Sequence, residues 1–144
     1  PLYSSAASDV YKRQGYSPWG KIQHRQKLCA GVHSVSTESH GGIMVNADMA
    51  EAFLSQEAIK CGFRYHNFYC FEEDCDAQVA LRELLDKKLI SKAFNLDAEQ
   101  LGEIVNQSLK QWHPEYWQAR EKALAQKENE HSSKPVQHSM ENSR

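Results

Sequence analysis

The chain has 144 residues, 40% of them hydrophobic and 25% charged, with 17 Lys and Arg against 19 Asp and Glu for a formal net charge of −2. These are the proportions of a soluble globular protein, and once two polar ends are set aside the roughly 110 remaining residues suit one small domain. No apolar run approaches the roughly 18–20 residues that span a bilayer, and no basic stripe offers phosphate neutralisation, so neither a membrane nor nucleic acid is an expected partner.

Residues 1–14 lack the basic start and apolar stretch of a secretory signal. The run Ser4 to Gln14 resembles a translated sequencing adaptor of the kind fused to metagenomic fragments. The segment is therefore read as a non-native or disordered leader, with a single domain over residues 15–126. Without an export signal, the four cysteines, Cys29, Cys61, Cys70 and Cys75, are expected as reduced thiols in a cytoplasm. No C-x-x-C pair occurs among them, so a zinc quartet of Cys61, His66, Cys70 and Cys75 would lack the tight two-ligand turn such sites use.

Ser17-Pro18-Trp19-Gly20 reads as a turn that delivers a large aromatic to the core edge. Lys21 to Leu28 reads as extended, Val32 to Ser36 as a second strand, and Ile43-Met44-Val45, after Gly41-Gly42, as a third. Asn46 can cap a helix over Ala47 to Leu54. The alternation of Phe63, Tyr65, Tyr69 and Phe71 with Arg64, His66 and Cys70 predicts a strand with one buried face, interrupted near Asn67-Phe68. Ala77, Ala80, Leu81, Leu84 and Leu85 predict an amphipathic helix over 76–89, capped by Asp74. Asp97-Ala98-Glu99-Gln100 has the form of a capping box and opens a helix with Leu101, Ile104, Val105, Leu109 and Trp112 on one side. Pro114 ends or kinks that helix. Another follows over 115–126, offering Tyr116, Trp117 and Leu124 to the core and Arg120 and Lys122 to water, and residues 127–144 read as a disordered polar tail. The order of elements is that of an α+β domain, a small antiparallel sheet packed against several helices.

Two polar clusters interrupt this pattern: Ser39-His40-Gly41-Gly42 between strands, and Glu72-Glu73-Asp74-Cys75-Asp76 before a helix. They form the candidate site. Imidazole as a group titrates near neutrality, and the glycines that follow His40 would let a ligand approach backbone amides as an anion-binding nest. The same four residues also make a tight connection in which glycine supplies positive φ. The acids could serve as a general base or as hard oxygen ligands, although carboxylates at a helix start are favoured by the macrodipole without any such purpose. Cys75 with His40 has the residue types of a thiol hydrolase, but the surrounding carboxylates oppose a thiolate. A third reading is structural, His40 bonding Glu73 or Asp74 to lock the turn against the helix start.

Pro18-Trp19-Gly20, Gly31-Val32, Ser36 to Gly42 and Glu72 to Asp76, in that order, resemble a phage- and plasmid-associated family, domain of unknown function 7007. The resemblance runs from about Ser17 to Ala80. It implies a bacterial or viral cytoplasm and mobile genetic elements, and it carries over no catalytic residue and no cofactor. The expected function is that of an uncharacterised accessory protein of a phage or mobile element, binding a protein or a small ligand through the two clusters. The alternative is a metal-assisted hydrolase in which His40, Glu73 and Asp74 hold an ion, which requires those groups to converge in space.

Overall fold

A computed structural model gives the structure of the chain. It describes residues 15–142, with side chains as far as Glu130. The reading of residues 1–14 as a leader lies outside the described residues.

Ser17-Pro18-Trp19-Gly20 makes the expected turn, joining β1 (Tyr16–Ser17) to β2 (Gly20–Lys21). The Ser17 hydroxyl closes it by donating to Gly20 O at 2.7 Å. A five-stranded sheet follows, built from β3 (His24–Cys29), β4 (Val32–Ser36), β5 (Gly41–Asn46), β6 (Phe63–Tyr65) and β7 (Phe68–Glu72). Its strand order is β3-β4-β5-β7-β6, and each neighbouring pair is antiparallel. Between β5 and β6 lie α1 (Ala47–Phe53), capped by Asn46 as expected, and α2 (Gln56–Cys61), capped by Ser55. The second of these helices has no counterpart in the sequence reading.

Central strand β5 is covered on both sides. Ile43 and Val45 join Val32 and Phe71 in the main core beneath the helices, whereas Met44 joins Val35 and Cys70 in a smaller cluster under Trp19, Ile22, Tyr65 and Phe68. The alternation is that of a strand whose successive side chains point to opposite faces. It also explains why the aromatic run at 63–71 does not share one face. The chain reverses at His66, where φ is +52°, and Phe63 and Tyr65 then pair with Cys70 and Phe68. Residues directly opposite in an antiparallel pair lie on the same side, so Phe63 and Tyr65 turn away from Tyr69 and Phe71. Phe63 is left 39% exposed, edge-on to Trp19.

Cys70 carries a prediction of its own. Its thiol is fully buried in the smaller core, and burial pushes its pKa up to about 12. Alkylation of the native protein should label Cys70 only after denaturant is added, as read by peptide mass mapping. Native labelling as fast as that of the partly exposed Cys75 would contradict this packing.

The remaining chain is helical apart from a hairpin. Helix α3 (Ala77–Asp86) starts two residues later than Asp74 would place it, and its capping position, Asp76, makes no side-chain cap bond. Strands β8 (Lys92–Ala93) and β9 (Leu96–Asp97) are joined by Phe94 and Asn95, both at positive φ, the two-residue turn that matches strand twist. Helix α4 (Ala98–Trp112) opens on the expected capping box, with Asp97 accepting from Gln100 N at 2.8 Å. Leu101, Val105 and Leu109 line its buried stripe, but Ile104 lies off that i, i+4 row and is 52% exposed.

Helix α5 (Pro114–Asn142) buries Tyr116, leaves Leu124 exposed, and runs through the segment that the sequence reading gives to a polar tail. Ala, Glu, Lys and Gln, all strong helix formers, are abundant over residues 115–130, and the helix carries on from there. Arg120, expected in water, instead forks onto Asp86 at 2.7 and 2.8 Å. Among the described residues, no helix is long and apolar enough to cross a membrane.

Candidate functional site

The sheet brings the two predicted clusters to one end of the molecule. Gly42 pairs with Glu72 across β5 and β7, and Glu73 N donates to Gly41 O at 3.0 Å. The His40 side chain takes no part in this meeting. Gly41 and Gly42 are buried strand residues without positive φ, so they form neither the expected tight turn nor an open nest. The turn is closed instead by Thr37, whose hydroxyl donates to His40 O at 2.7 Å and accepts from His40 N at 3.1 Å. The His40 side chain projects into solvent, as do Ser39, Glu72, Glu73 and Asp74, and it makes no hydrogen bond or ion pair with the described residues. The turn-locking contact between His40 and Glu73 or Asp74 is therefore not formed.

Cys75 and Asp76, the end of the acidic cluster, belong to a different arrangement. Asp76 Oδ1 lies 2.8 Å from His113 Nε2 and accepts from the Cys75 thiol at 3.4 Å. The other ring nitrogen, Nδ1, sits 3.8 Å from Cys61 Sγ. A thiol, an imidazole, a carboxylate and a second thiol are thus strung together. Three elements supply them: the last residue of α2, the turn before α3, and the break between α4 and α5. His113 stands at that break because Pro114 cannot continue the preceding helix. Burial raises the pKa of Cys61, and Asp76, Glu83 and Cys75 raise it further. Burial likewise raises that of Cys75, aided by its bond to Asp76 and the charge of Glu72. Both thiols are held protonated at neutral pH, and Cys61 lies at the negative end of its helix, so the set is poorly suited to a thiolate nucleophile.

A family model described as Domain of unknown function (DUF7007) matches residues 12–142. The chain belongs to that family. No curated protein and no solved structure matches it. The family match extends well past Ala80, the end of the main stretch that carries the resemblance, and takes in Pro114-Glu115-Tyr116-Trp117.

In this DUF7007 domain, a cleft of about 470 Å³ opens beside the thiol–imidazole pair, with Cys61 and His113 in its wall and Lys60, Glu57, Glu115 and Trp112 around them. Trp112 is 59% exposed, unlike Trp117, whose ring lies between Lys110 and Arg120. A larger depression of about 750 Å³ beside β3 and the β8–β9 hairpin contains no thiol or imidazole. Among the described residues, the donor atoms that converge closely enough for a metal ion are those of Cys75, Asp76 and His113. His40, Glu73 and Asp74 do not converge. The quartet of Cys61, His66, Cys70 and Cys75 is not assembled either, since Cys70 is buried beneath the opposite sheet face and His66 lies in an exposed turn. Sequence reasoning missed His113, which lies 37 residues from Asp76. The available local signal was a His-Pro pair at a helix end.

Proposed function

We propose that this DUF7007 domain is an intracellular accessory protein of a phage or mobile element that acts by binding a protein or small ligand, and that the cleft beside Cys61 and His113 receives it. The observation that carries this reading is Trp112, a large aromatic left 59% exposed at the cleft. Aromatic anchors of this kind dominate binding energy when a partner covers them. Lys60 and Glu57 supply charges of both signs beside it, the arrangement expected at a polar rim. The setting in a phage or mobile element rests on the ordered motifs between Ser17 and Ala80.

Affinity capture from host cells carrying the element tests this reading, with Trp112→Ala run beside the wild type. A partner recovered by the wild type and lost with Trp112→Ala supports the cleft. Retention by Trp112→Ala with loss on joint replacement of Glu73 and Asp74 by alanine would transfer the site to the sheet end bearing His40. Repeated recovery of no partner or ligand by the wild type would overturn binding as the function.

A further inference from the structure

Three partly or fully buried carboxylates face the helical layer, and two of them have permanent cations. Asp86 is held by Arg82 and Arg120, and Glu83 by Lys87 together with Ser55 and Tyr116. Asp76 has neither Lys nor Arg. Its partners are the imidazole of His113 and the thiol of Cys75, with side chains of Asp76 and His113 only 25% and 18% exposed. A partly buried carboxylate whose partners are a thiol and an imidazole has no permanent cation beside it, and that leaves room for one.

The donor atoms of Cys75, Asp76 and His113 all lie within 4.8 Å of one another. We propose that Cys75, Asp76 and His113 bind a single zinc-class divalent cation, with a fourth position open to water. Sulfur, nitrogen and oxygen together select a borderline cation over magnesium or calcium, which take oxygen ligands. Zinc bonds of about 2.0–2.3 Å imply tetrahedral donor separations of about 3.2–3.8 Å. The 3.4 Å contact between Cys75 and Asp76 already falls in that range, and the 2.8 Å contact between Asp76 and His113 opens into it by a small rotation of the carboxylate.

The proton balance is simple. Binding releases the Cys75 thiol proton to solvent, leaving one thiolate and one carboxylate to match a dication. In the metal-free contact Nε2–H donates to the Asp76 carboxylate, so binding requires Nε2 to give up that proton by exchange with solvent; its lone pair then goes to the metal and the ring carries its proton on Nδ1, which faces Cys61 Sγ at 3.8 Å. Cys61 thereby becomes a positioning residue that orients the ring, as outer partners of metal-bound histidines do. This inference is independent of the binding reading, since it concerns the anchoring of the turn before α3 to the α4–α5 break.

Chelator-stripped full-length protein titrated with zinc in a calorimeter, and with cobalt followed by absorption, tests the proposal. We expect one zinc per chain and, with cobalt, a near-ultraviolet thiolate-to-metal band that Cys75→Ser abolishes. His113→Gln weakens zinc binding by about tenfold or more, whereas Cys61→Ala keeps the band. Circular dichroism confirms that the variants fold. The absence of saturable zinc binding, or a cobalt band surviving Cys75→Ser, overturns the proposal. If Cys75→Ser does not fold, absence of the band from wild-type cobalt protein overturns it, and its loss with His113→Gln supports it.

Discussion

Replacing Glu83 by alanine should destabilise the domain by about 3–5 kcal/mol, because it strips a shared acceptor from several buried donors at once. For a domain of this size that corresponds to a fall of roughly 10–20 °C in melting temperature. Glu83 is 5% exposed on α3, yet it accepts from Ser55 N at 2.7 Å, from Ser55 Oγ at 3.2 Å and from Tyr116 OH at 2.5 Å. Its ion pair with Lys87 adds little, since that lysine side chain is 39% exposed and its charge is screened by water. The other bonds matter more. Ser55 caps the start of α2, whose last residue is Cys61, and Tyr116 lies in the first turn of α5, so one carboxylate ties the helix that carries Cys61 to the helix that begins just after His113. Burial and then Glu83 hold the Tyr116 phenol protonated well above its usual range, so the pair keeps its donor–acceptor sense throughout the physiological range. Urea and thermal unfolding of Glu83→Ala measure the effect, and a loss below about 1 kcal/mol would show that the contact is not a hub.

Glu83 also shows what a sequence of this kind can and cannot disclose. The elements set by local chemistry were legible: the Asp97–Gln100 capping box, the Asn46 cap, the Ser17–Gly20 turn, and the strands at 32–36 and 43–45 were all placed close to where they fold. The architecture followed, an antiparallel sheet against helices. What depended on partners distant in sequence was not legible. Glu83 precedes Leu84-Leu85 and reads as an ordinary polar position on an amphipathic helix, until α2 and α5 bring Ser55 and Tyr116 to it. The aromatic run at 63–71 keeps a period of two except at Asn67-Phe68, and a reversal at His66 turns its first half over. For the candidate site, the acidic cluster was located and then proved to be divided. Glu72, Glu73 and Asp74 face solvent, while Cys75 and Asp76 turn toward a histidine 37 residues beyond Asp76. Spacing along the chain carries no information about that approach.

Gly42→Ala is the second substitution expected to act strongly, with a loss of about 3 kcal/mol or more from overpacking. The glycine pair invites an explanation from backbone freedom, but Gly42 lies in a strand without positive φ, where alanine suits the backbone as well as glycine does. The constraint is contact. A Cβ on Gly42 would lie 2.2 Å from Phe71 O on the neighbouring strand and 2.6 Å from the Trp19 ring. The indole uses that gap to seat itself on the sheet, which is how the first turn of the domain closes the smaller core over Val35, Met44 and Cys70. Two responses are open to the alanine variant. Trp19 can leave, uncovering that core, or β5 and β7 can separate, which would also shift Glu72 and the turn leading to Cys75 and Asp76. Trp19→Ala distinguishes them: added to Gly42→Ala it removes the ring contact but not the clash with Phe71 O, so it should not restore stability. A double variant more stable than Gly42→Ala would instead identify the indole as the group that excludes a side chain at position 42, and urea unfolding of the three proteins decides the matter.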